Sequence, residues 1–189
     1  MKKLSLVLAF VAATVAVNAQ SKTFKPFKFD FAFGYAIPGG SGAKGGIIAA
    51  GEPKYAINDN ITLGLRFEAA VMARATVDPN TGEMTSGSVK AAGSYLLTAD
   101  YYINTNKFRP FVGVGAGMFS TAAAKVDVNS QTGTEEVTAG NAFGATPRAG
   151  FEYGHFRAAV EYNIAGKVGS ISNNYLGIKI GFFVGGGRR

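Results

Sequence analysis

The fold of this chain is decided by residues 27–37, which read Phe27-Lys28-Phe29-Asp30-Phe31-Ala32-Phe33-Gly34-Tyr35-Ala36-Ile37. Every odd position holds an aromatic or aliphatic side chain, and every even position holds a charged or small one. Because side chains alternate between the two faces of a β-strand, this period of two predicts a strand with one apolar and one polar face. A soluble sheet would bury such rings in a roomy core, whereas a small barrel in a membrane would turn them toward lipid.

The first 19 residues have the organisation of a cleaved secretory signal. Lys2 and Lys3 supply the positive start, residues 4–17 are apolar, and Val17-Asn18-Ala19 supplies a small-x-small cleavage site. The alternative is a transmembrane anchor, but the apolar run is shorter than the ~20 residues that a spanning helix needs. The sequence therefore predicts an exported protein.

Composition narrows the class of protein further. The 189 residues include 19 basic and 12 acidic ones, for a formal net charge of +7, and no cysteine. The basic residues are scattered singly and form no patch with interleaved aromatics, which argues against nucleic-acid binding. An exported fold without disulfides needs a good core or a membrane. No apolar run after the leader can span as a helix, so a membrane protein here must be a closed barrel.

Eight segments after the leader have the length and pattern of strands that cross a bilayer at a tilt. The predicted strands are residues 27–38, 47–57, 61–75, 88–103, 108–126, 143–153, 156–166 and 174–184. Short connections at residues 58–60, 104–107 and 154–155 alternate with longer ones at residues 39–46, 76–87, 127–142 and 167–173. Short turns at one end and long loops at the other are typical of outer-membrane barrels.

The sequence thus predicts an all-β fold, an eight-stranded antiparallel up-and-down transmembrane β-barrel. The expected division of the chain is a signal peptide at residues 1–19, the barrel at residues 20–184 and a C-terminal tail at residues 185–189. Pro53 and Pro147 fall inside predicted strands, where each removes a backbone donor, so we expect local bulges or displaced boundaries there.

The alternation also predicts which charged side chains point into the barrel. The predicted interior charge network is Lys28, Asp30, Glu52, Lys54, Arg66, Glu68, Asp100, Arg109, Arg148, Glu152, Arg157, Glu161 and Lys179. Opposite charges in that space should pair, because an isolated buried ion is very costly. Arg74 and Lys90 share this face, which leaves an excess of positive charge that should meet water near the ends. An interior of this diameter is filled by side chains.

Aromatic residues near the short-turn end predict an interfacial girdle. The predicted girdle is Phe27, Phe29, Tyr55, Tyr101, Phe151, Tyr153, Phe156 and Phe182. A thinner row, made of Tyr35, Tyr95, Phe143 and Tyr175, is expected at the long-loop end. Ordinary β-propensity of Tyr and Phe is the alternative explanation.

One predicted strand begins Phe108-Arg109-Pro110-Phe111-Val112-Gly113-Val114-Gly115-Ala116-Gly117. Together with the signal, the strand count and the alternation of loop lengths, this segment resembles the small outer-membrane β-barrels of Gram-negative bacteria. That group includes the outer-membrane protein A and X barrels and is often labelled porin-like. The segment from Tyr175 to Phe182 also looks like the signal that barrel-assembly machinery reads. The chain departs from the family by continuing past that aromatic residue.

The candidates for chemistry in this sequence are weak. His155, the single histidine, lies in a predicted short turn. Glu135, Glu136 and Asp127 lack the spacing of a calcium loop and are typical of a solvated loop. Gly113-x-Gly115-x-Gly117 lacks the helix and Lys-Ser/Thr of a phosphate loop, so its value is packing. We expect no catalytic, cofactor or metal site.

The sequence therefore favours a non-enzymatic integral outer-membrane barrel with a structural or surface-interaction, adhesion-like role. The expected partners are outer-membrane lipid, the assembly machinery during insertion and an extracellular partner bound through the loops, and the expected state is a monomer. Two alternatives stay open: a narrow porin-like channel for small solutes, and a soluble lipocalin-like binding barrel. The direction of the odd-numbered rings of the first strand distinguishes the soluble alternative.

Overall fold

The computed structural model describes residues 23–39, 43–77, 84–127, 136–168 and 171–188. Its strands are β1 (Phe27–Pro38), β2 (Ala43–Ala56), β3 (Ile61–Val77), β4 (Met84–Tyr102), β5 (Phe108–Asp127), β6 (Glu136–Tyr153), β7 (Phe156–Asn163), β8 (Lys167–Val168), β9 (Ile171–Ser172) and β10 (Tyr175–Gly185). No helix in these ranges has the length and apolar content to cross a membrane.

Eight of the strands, β1 to β7 and β10, form a closed antiparallel barrel in which each strand pairs with its neighbour in the chain. The barrel closes where β1 pairs with β10, from Lys28 opposite Gly185 to Pro38 opposite Tyr175. The short strands β8 and β9 pair only with each other, within the connection between β7 and β10. The predicted eight-stranded antiparallel barrel is confirmed.

Both ends of the described chain lie at the end of the barrel that carries the short turns. Phe24 forms a β-bridge with Arg188 just beyond the β1–β10 pair. The Thr23 amide donates a hydrogen bond of 3.1 Å to Asp59, which lies in the turn between β2 and β3. Gly187 and Arg188 of the predicted tail therefore extend the pairing of β10 with the segment that precedes β1. The predicted signal at residues 1–19 lies outside the described residues.

At the long-loop end of the barrel, several strands begin at an earlier residue than the sequence predicted. β2 begins at Ala43, β4 at Met84 and β6 at Glu136, whereas we expected residues 47, 88 and 143. These added segments are rich in Gly, Ala, Ser and Thr and lack a clear alternation of large and small residues. Their partners impose the strand, since β5 pairs with β6 without a break from Tyr153 to Glu136. β7, by contrast, ends at Asn163.

The local bulges expected at the two prolines do not occur, and the displaced bounds of β2 and β6 lie mainly at the long-loop end, away from Pro53 and Pro147. Pro53 lies opposite Phe29 of β1 in an unshifted register, and Pro147 lies opposite Val114 of β5 in the same way. Only the pairing on the other side is interrupted, toward β3 and β7 respectively. A residue in an antiparallel strand bonds with one neighbour only, so each proline removes one donor from one ladder and leaves the other intact.

The two faces of the wall separate large apolar side chains from charged ones. Phe27, Phe33 and Tyr35 of β1 are 58%, 59% and 48% exposed, so the rings point out of the barrel. The same outward direction holds for Leu63, Leu65 and Phe67 of β3, Leu97 and Tyr101 of β4, Val160 and Tyr162 of β7, and Ile178 and Ile180 of β10. The outer face of the barrel therefore carries a continuous apolar surface.

Candidate functional site

All thirteen residues of the predicted interior charge network are buried, and each is at most 7% exposed. Every one of the eight barrel strands contributes at least one of them. They form two groups. The lower cluster, nearer the short turns, contains Lys28, Asp30, Glu52, Lys54, Asp100, Arg109, Arg148, Glu152 and Arg157. The upper cluster contains Arg66, Glu68, Glu161 and Lys179.

Asp100 is the centre of the lower cluster. Its Oδ1 accepts a hydrogen bond of 2.7 Å from Arg148 Nε. Its Oδ2 accepts bonds of 2.8 Å from Lys54 Nζ and 2.9 Å from Arg157 Nη2. The three cations come from β6, β2 and β7, so this one carboxylate of β4 ties four strands together. Charge-assisted bonds of this kind are stronger than bonds between neutral groups.

Arg148 also reaches across the barrel to Glu52. Its two terminal nitrogens donate to the two carboxylate oxygens at 2.9 and 2.7 Å, a bidentate pair. Thr98 donates a further hydrogen bond to Glu52. Arg148 lies on β6 and Glu52 on β2, and these strands are four positions apart in the ring of eight. The pair therefore spans the full width of the interior.

Glu152 organises the part of the lower cluster closest to the short turns. It pairs with Lys28, and its Oε1 accepts bonds of 2.7 Å from Arg157 and 2.6 Å from the Tyr102 hydroxyl. Arg109 lies 3.8 Å from the other carboxylate oxygen. Burial of several like charges is tolerated here because each cation faces a carboxylate or a hydroxyl.

The upper cluster repeats the crossing arrangement with different strands. Arg66 of β3 pairs with Glu161 of β7, which lies directly opposite in the ring. Lys179 of β10 contacts both Glu161 and Glu68, the latter at 2.5 Å. The Tyr175 hydroxyl donates a bond of 2.7 Å to Glu68. Two positive and two negative charges balance in this cluster.

An apolar layer lies inside the barrel beyond the upper cluster, and the sequence analysis missed it. It consists of Ala36, Ile48, Ala70, Met72, Ala92 and Tyr175, all buried. Met72 shares the strand parity of Arg66, and Tyr175 shares that of Lys179, so strand parity was a signal that could have placed both inside. The expectation that Tyr175 belongs to the outer ring of aromatics is wrong, because it is 1% exposed.

Phe24 and Arg188, near the two ends of the described part of the chain, lie at the short-turn mouth of the barrel. Phe24 is 7% exposed, and the Arg109 guanidinium lies 3.8 Å from the centre of its ring. Arg188 lies on the same ring at 5.8 Å and donates a bond of 2.6 Å to the carbonyl of Thr105, in the turn between β4 and β5. That turn is across the ring from the β1–β10 seam. The described terminal residues thus extend across the mouth.

The girdle residues lie on the outer face, mostly near the short turns. Six of the eight are exposed, and Phe29 and Phe151 are half-buried. Phe108 and Phe151 contact each other, as do Phe151 and Phe156, with ring centres 5.1 and 6.2 Å apart. That these rings mark a membrane interface stays a prediction.

The remaining candidate residues, which are the histidine and the charged residues of the long loops, form no common site among the described residues. His155 is exposed in the turn between β6 and β7, and its ring lies 5.2 Å from that of Phe183. Lys90 donates a hydrogen bond to Asn173. Glu135 and the side chain of Arg74 lie outside what the structure describes. Within the described ranges, no three His, Asp or Glu side chains are grouped as a metal site would need.

No protein-family model matches the chain, and no curated protein matches it in sequence. Among solved structures, Neisserial surface protein A is similar at a TM-score of 0.56 and 18% identity, over 84% of this chain and 96% of that one. The outer membrane protein OprG of Pseudomonas aeruginosa is similar at 0.51 and 14%, over 88% and 100%. At these identities the likeness concerns the fold. The chain has the fold of the small eight-stranded outer-membrane β-barrels, as the resemblance in its sequence predicted.

Proposed function

We propose that this protein is an integral outer-membrane β-barrel with a closed interior and a non-enzymatic, structural or surface-interaction role. The proposal rests on two ion pairs, each of which crosses the full width of the barrel. Arg148 with Glu52 and Arg66 with Glu161 join opposite strands at two heights. A lumen crossed twice by buried, hydrogen-bonded charges leaves no continuous path for a solute.

The outer surface supports a membrane location. Exposed large apolar side chains occur on every barrel strand, among them Ile47 at 72%, Leu97 at 72% and Phe143 at 73%. A soluble protein rarely exposes a continuous apolar surface of this extent, because such a patch associates or aggregates in water. In a membrane the same apolar surface contacts lipid tails, while the charged side chains lie inside the barrel.

The two alternatives are less well supported. A narrow channel would need the crossing ion pairs to separate, and a binding barrel would need a ligand cavity of roughly 300–1,000 Å³. The cavity lined by Asp30, Arg66 and Arg148 has a volume of about 20 Å³. The odd-numbered rings of β1 also point outward, opposite to a lipocalin-like core.

A strand edge at the long-loop end favours the surface-interaction role. β8 lies beside part of this edge, but among the described residues it pairs only with β9. β7 ends at Asn163, and among the described residues the segment of β6 from residue 137 to residue 144 pairs with β5 alone. Ala145 exchanges hydrogen bonds of 3.2 and 2.8 Å with Ile164. Residues of the same parity, such as Asn141 and Ala139, therefore turn their backbone groups away from β5. Such an edge can accept a strand of another protein.

The interaction role is tested by blocking this edge. Asn141→Pro removes a backbone donor that points away from β5, so the barrel loses no ladder bond. Asn141→Ala is the matched control, since it changes the side chain and keeps the donor. Cells displaying the proline variant should adhere less to protein-coated surfaces than cells displaying the control. Equal adhesion, at equal surface display, would remove the support for this role.

Membrane insertion has a simpler test. The mature protein should fractionate with outer membranes, and the folded barrel should migrate differently in a gel before and after boiling in detergent. Recovery in the soluble periplasmic fraction without detergent would end the membrane proposal.

A further inference from the structure

A small cavity lies inside the barrel between the lower and upper clusters. Its volume is about 20 Å³. The charged side chains that line it are Asp30, Glu52, Arg148 and Arg157 of the lower cluster and Arg66, Glu161 and Lys179 of the upper one. A cavity of this size has room for about one water molecule.

Four buried polar atoms of the lining residues have no hydrogen-bond partner in the described part of the protein: Asp30 Oδ1, Asp30 Oδ2, Arg66 Nε and Glu161 Oε1. Asp30 Oδ2 is 2.7 Å from Lys54 Nζ and Glu161 Oε1 contacts Lys179 Nζ, so Asp30 Oδ1 and Arg66 Nε are the two that lack a close ion-pair partner as well. Lys28 Nζ lies 3.8 Å from Asp30 Oδ1, which is an ion pair but too long for a hydrogen bond. Arg66 uses its terminal nitrogens for Glu161 and Asn163, and these bonds leave Nε unused. A buried polar group without a partner is costly, so these two atoms need one.

The chemistry of the two atoms selects the kind of ligand. The carboxylate oxygen of Asp30 can only accept a hydrogen bond, and the guanidinium Nε–H of Arg66 can only donate one. A halide would be repelled by Asp30 and Glu161, and a metal cation would be repelled by Arg66 and Arg157. Water both donates and accepts, and it carries no charge.

We propose that this cavity binds one ordered water molecule, which donates to Asp30 Oδ1 and accepts from Arg66 Nε. The water joins the two clusters into a single hydrogen-bonded column that runs from Glu152 to Tyr175. Buried waters that satisfy groups of this kind are part of a fold. The site does not depend on the role proposed above, because it lies inside the barrel whatever the outer surface contacts.

Crystals of the refolded protein at high resolution, grown in sodium bromide and in rubidium chloride, test the site directly. The expected result is a density peak within hydrogen-bond distance of both atoms, with no anomalous signal from bromide or rubidium. An anomalous peak in the cavity would identify an ion and overturn the proposal. Absence of density, or a peak that touches only one of the two atoms, would overturn it as well.

A pair of alanine variants provides an independent test. Ala50 lines the cavity, whereas Ala49 is its exposed neighbour on the outer face of β2. Ala50→Val should displace the water, remove the peak and lower the urea midpoint for unfolding, since both atoms lose their partner. Ala49→Val should leave the peak and the midpoint unchanged. An unchanged or raised midpoint for Ala50→Val would mean that the cavity is dry, and the proposal would fail. If that variant does not fold, the crystals of the native chain decide.

Discussion

Leu65 and Arg66 are adjacent in β3 and lie on opposite sides of the barrel wall. Leu65 is 40% exposed on the outer face, next to Leu97 of β4, and Arg66 is 1% exposed inside the barrel. Because consecutive side chains of a strand point in opposite directions, one peptide bond separates an apolar surface from a buried ion network. This relationship repeats around the barrel and makes the assignment of faces testable at single residues.

Arginine at position 65 should impair insertion. The substitution places a charge in hydrocarbon, at a cost of roughly 2–4 kcal/mol near the middle of the membrane. Ile103→Arg is the matched control, because Ile103 is exposed beside a short turn, where the cost falls to about 0–1 kcal/mol. Refolding yield in lipid vesicles measures the effect. If Leu65→Arg refolds as the native chain does, the assigned faces of β3 are inverted.

Removing Arg66 alone should give a folded but weakened barrel. Arg66→Leu leaves two carboxylates, Glu161 and Glu68, to share Lys179. Breaking a buried ion pair from one side costs about 3–5 kcal/mol, whereas replacing both partners with apolar residues costs much less. The double variant Arg66→Leu/Glu161→Leu should therefore recover part of the loss in urea unfolding from vesicles. A double variant weaker than Arg66→Leu would contradict the pairing.

Gly64 should not tolerate a side chain. A Cβ at this position would lie 2.7 Å from Thr98 Oγ1 and 2.8 Å from Glu52 Oε1. Glu52 cannot move without disturbing its bidentate bond with Arg148, so Gly64→Ala should cost roughly 1–3 kcal/mol. Gly51→Ala is the control, because its Cβ would meet only the Phe29 ring at 3.5 Å. Equal unfolding free energies for the two alanine variants would show that the interior is looser than described.

Phe24 should contribute to stability although it precedes the first barrel strand. Its ring is buried between Arg109 and the chain end, so Phe24→Ala should lower the free energy of unfolding by about 1.5–3 kcal/mol. Lys25 is exposed, and Lys25→Ala should change it little. Hydrogen exchange should also become faster in the turn between β2 and β3, whose Asp59 accepts the Thr23 amide. Unchanged stability would mean that this segment does not help to hold the barrel together.

The sequence predicted the two faces of the wall because strand alternation is local and strong in this chain. The parity of Phe27–Ile37 and of Arg66 with Glu68 places each side chain without knowledge of the partner strands. The extension of β6 to Glu136 was not predictable in this way. Its added residues, 136–142, show no alternation of large apolar and polar side chains, and the strand forms because β5 pairs with it.

The sequence predicted which charged side chains point inward, but not which of them pair with each other. Alternation indicates that Arg148 and Glu52 point inward. It gives no information that β6 and β2 lie opposite each other at the same height, which depends on register and barrel closure. The loss of only one backbone hydrogen bond at Pro53 and at Pro147 was also not predictable from the sequence. It depends on which neighbouring strand each backbone group faces, and that is set by the register.

Planar-bilayer recording of the purified, refolded protein measures whether the interior of the barrel is closed to ions. The crossing pairs of Arg148 with Glu52 and Arg66 with Glu161 should block the lumen, so the recording should show no large steady conductance. The double variant Arg148→Ala/Glu52→Ala provides the comparison, because it removes one of the two crossing ion pairs. Its migration in a gel before boiling confirms that it is folded. Its conductance should be no lower than that of the native chain. A stable conductance of porin size from the native chain would contradict the closed interior and favour a transport role.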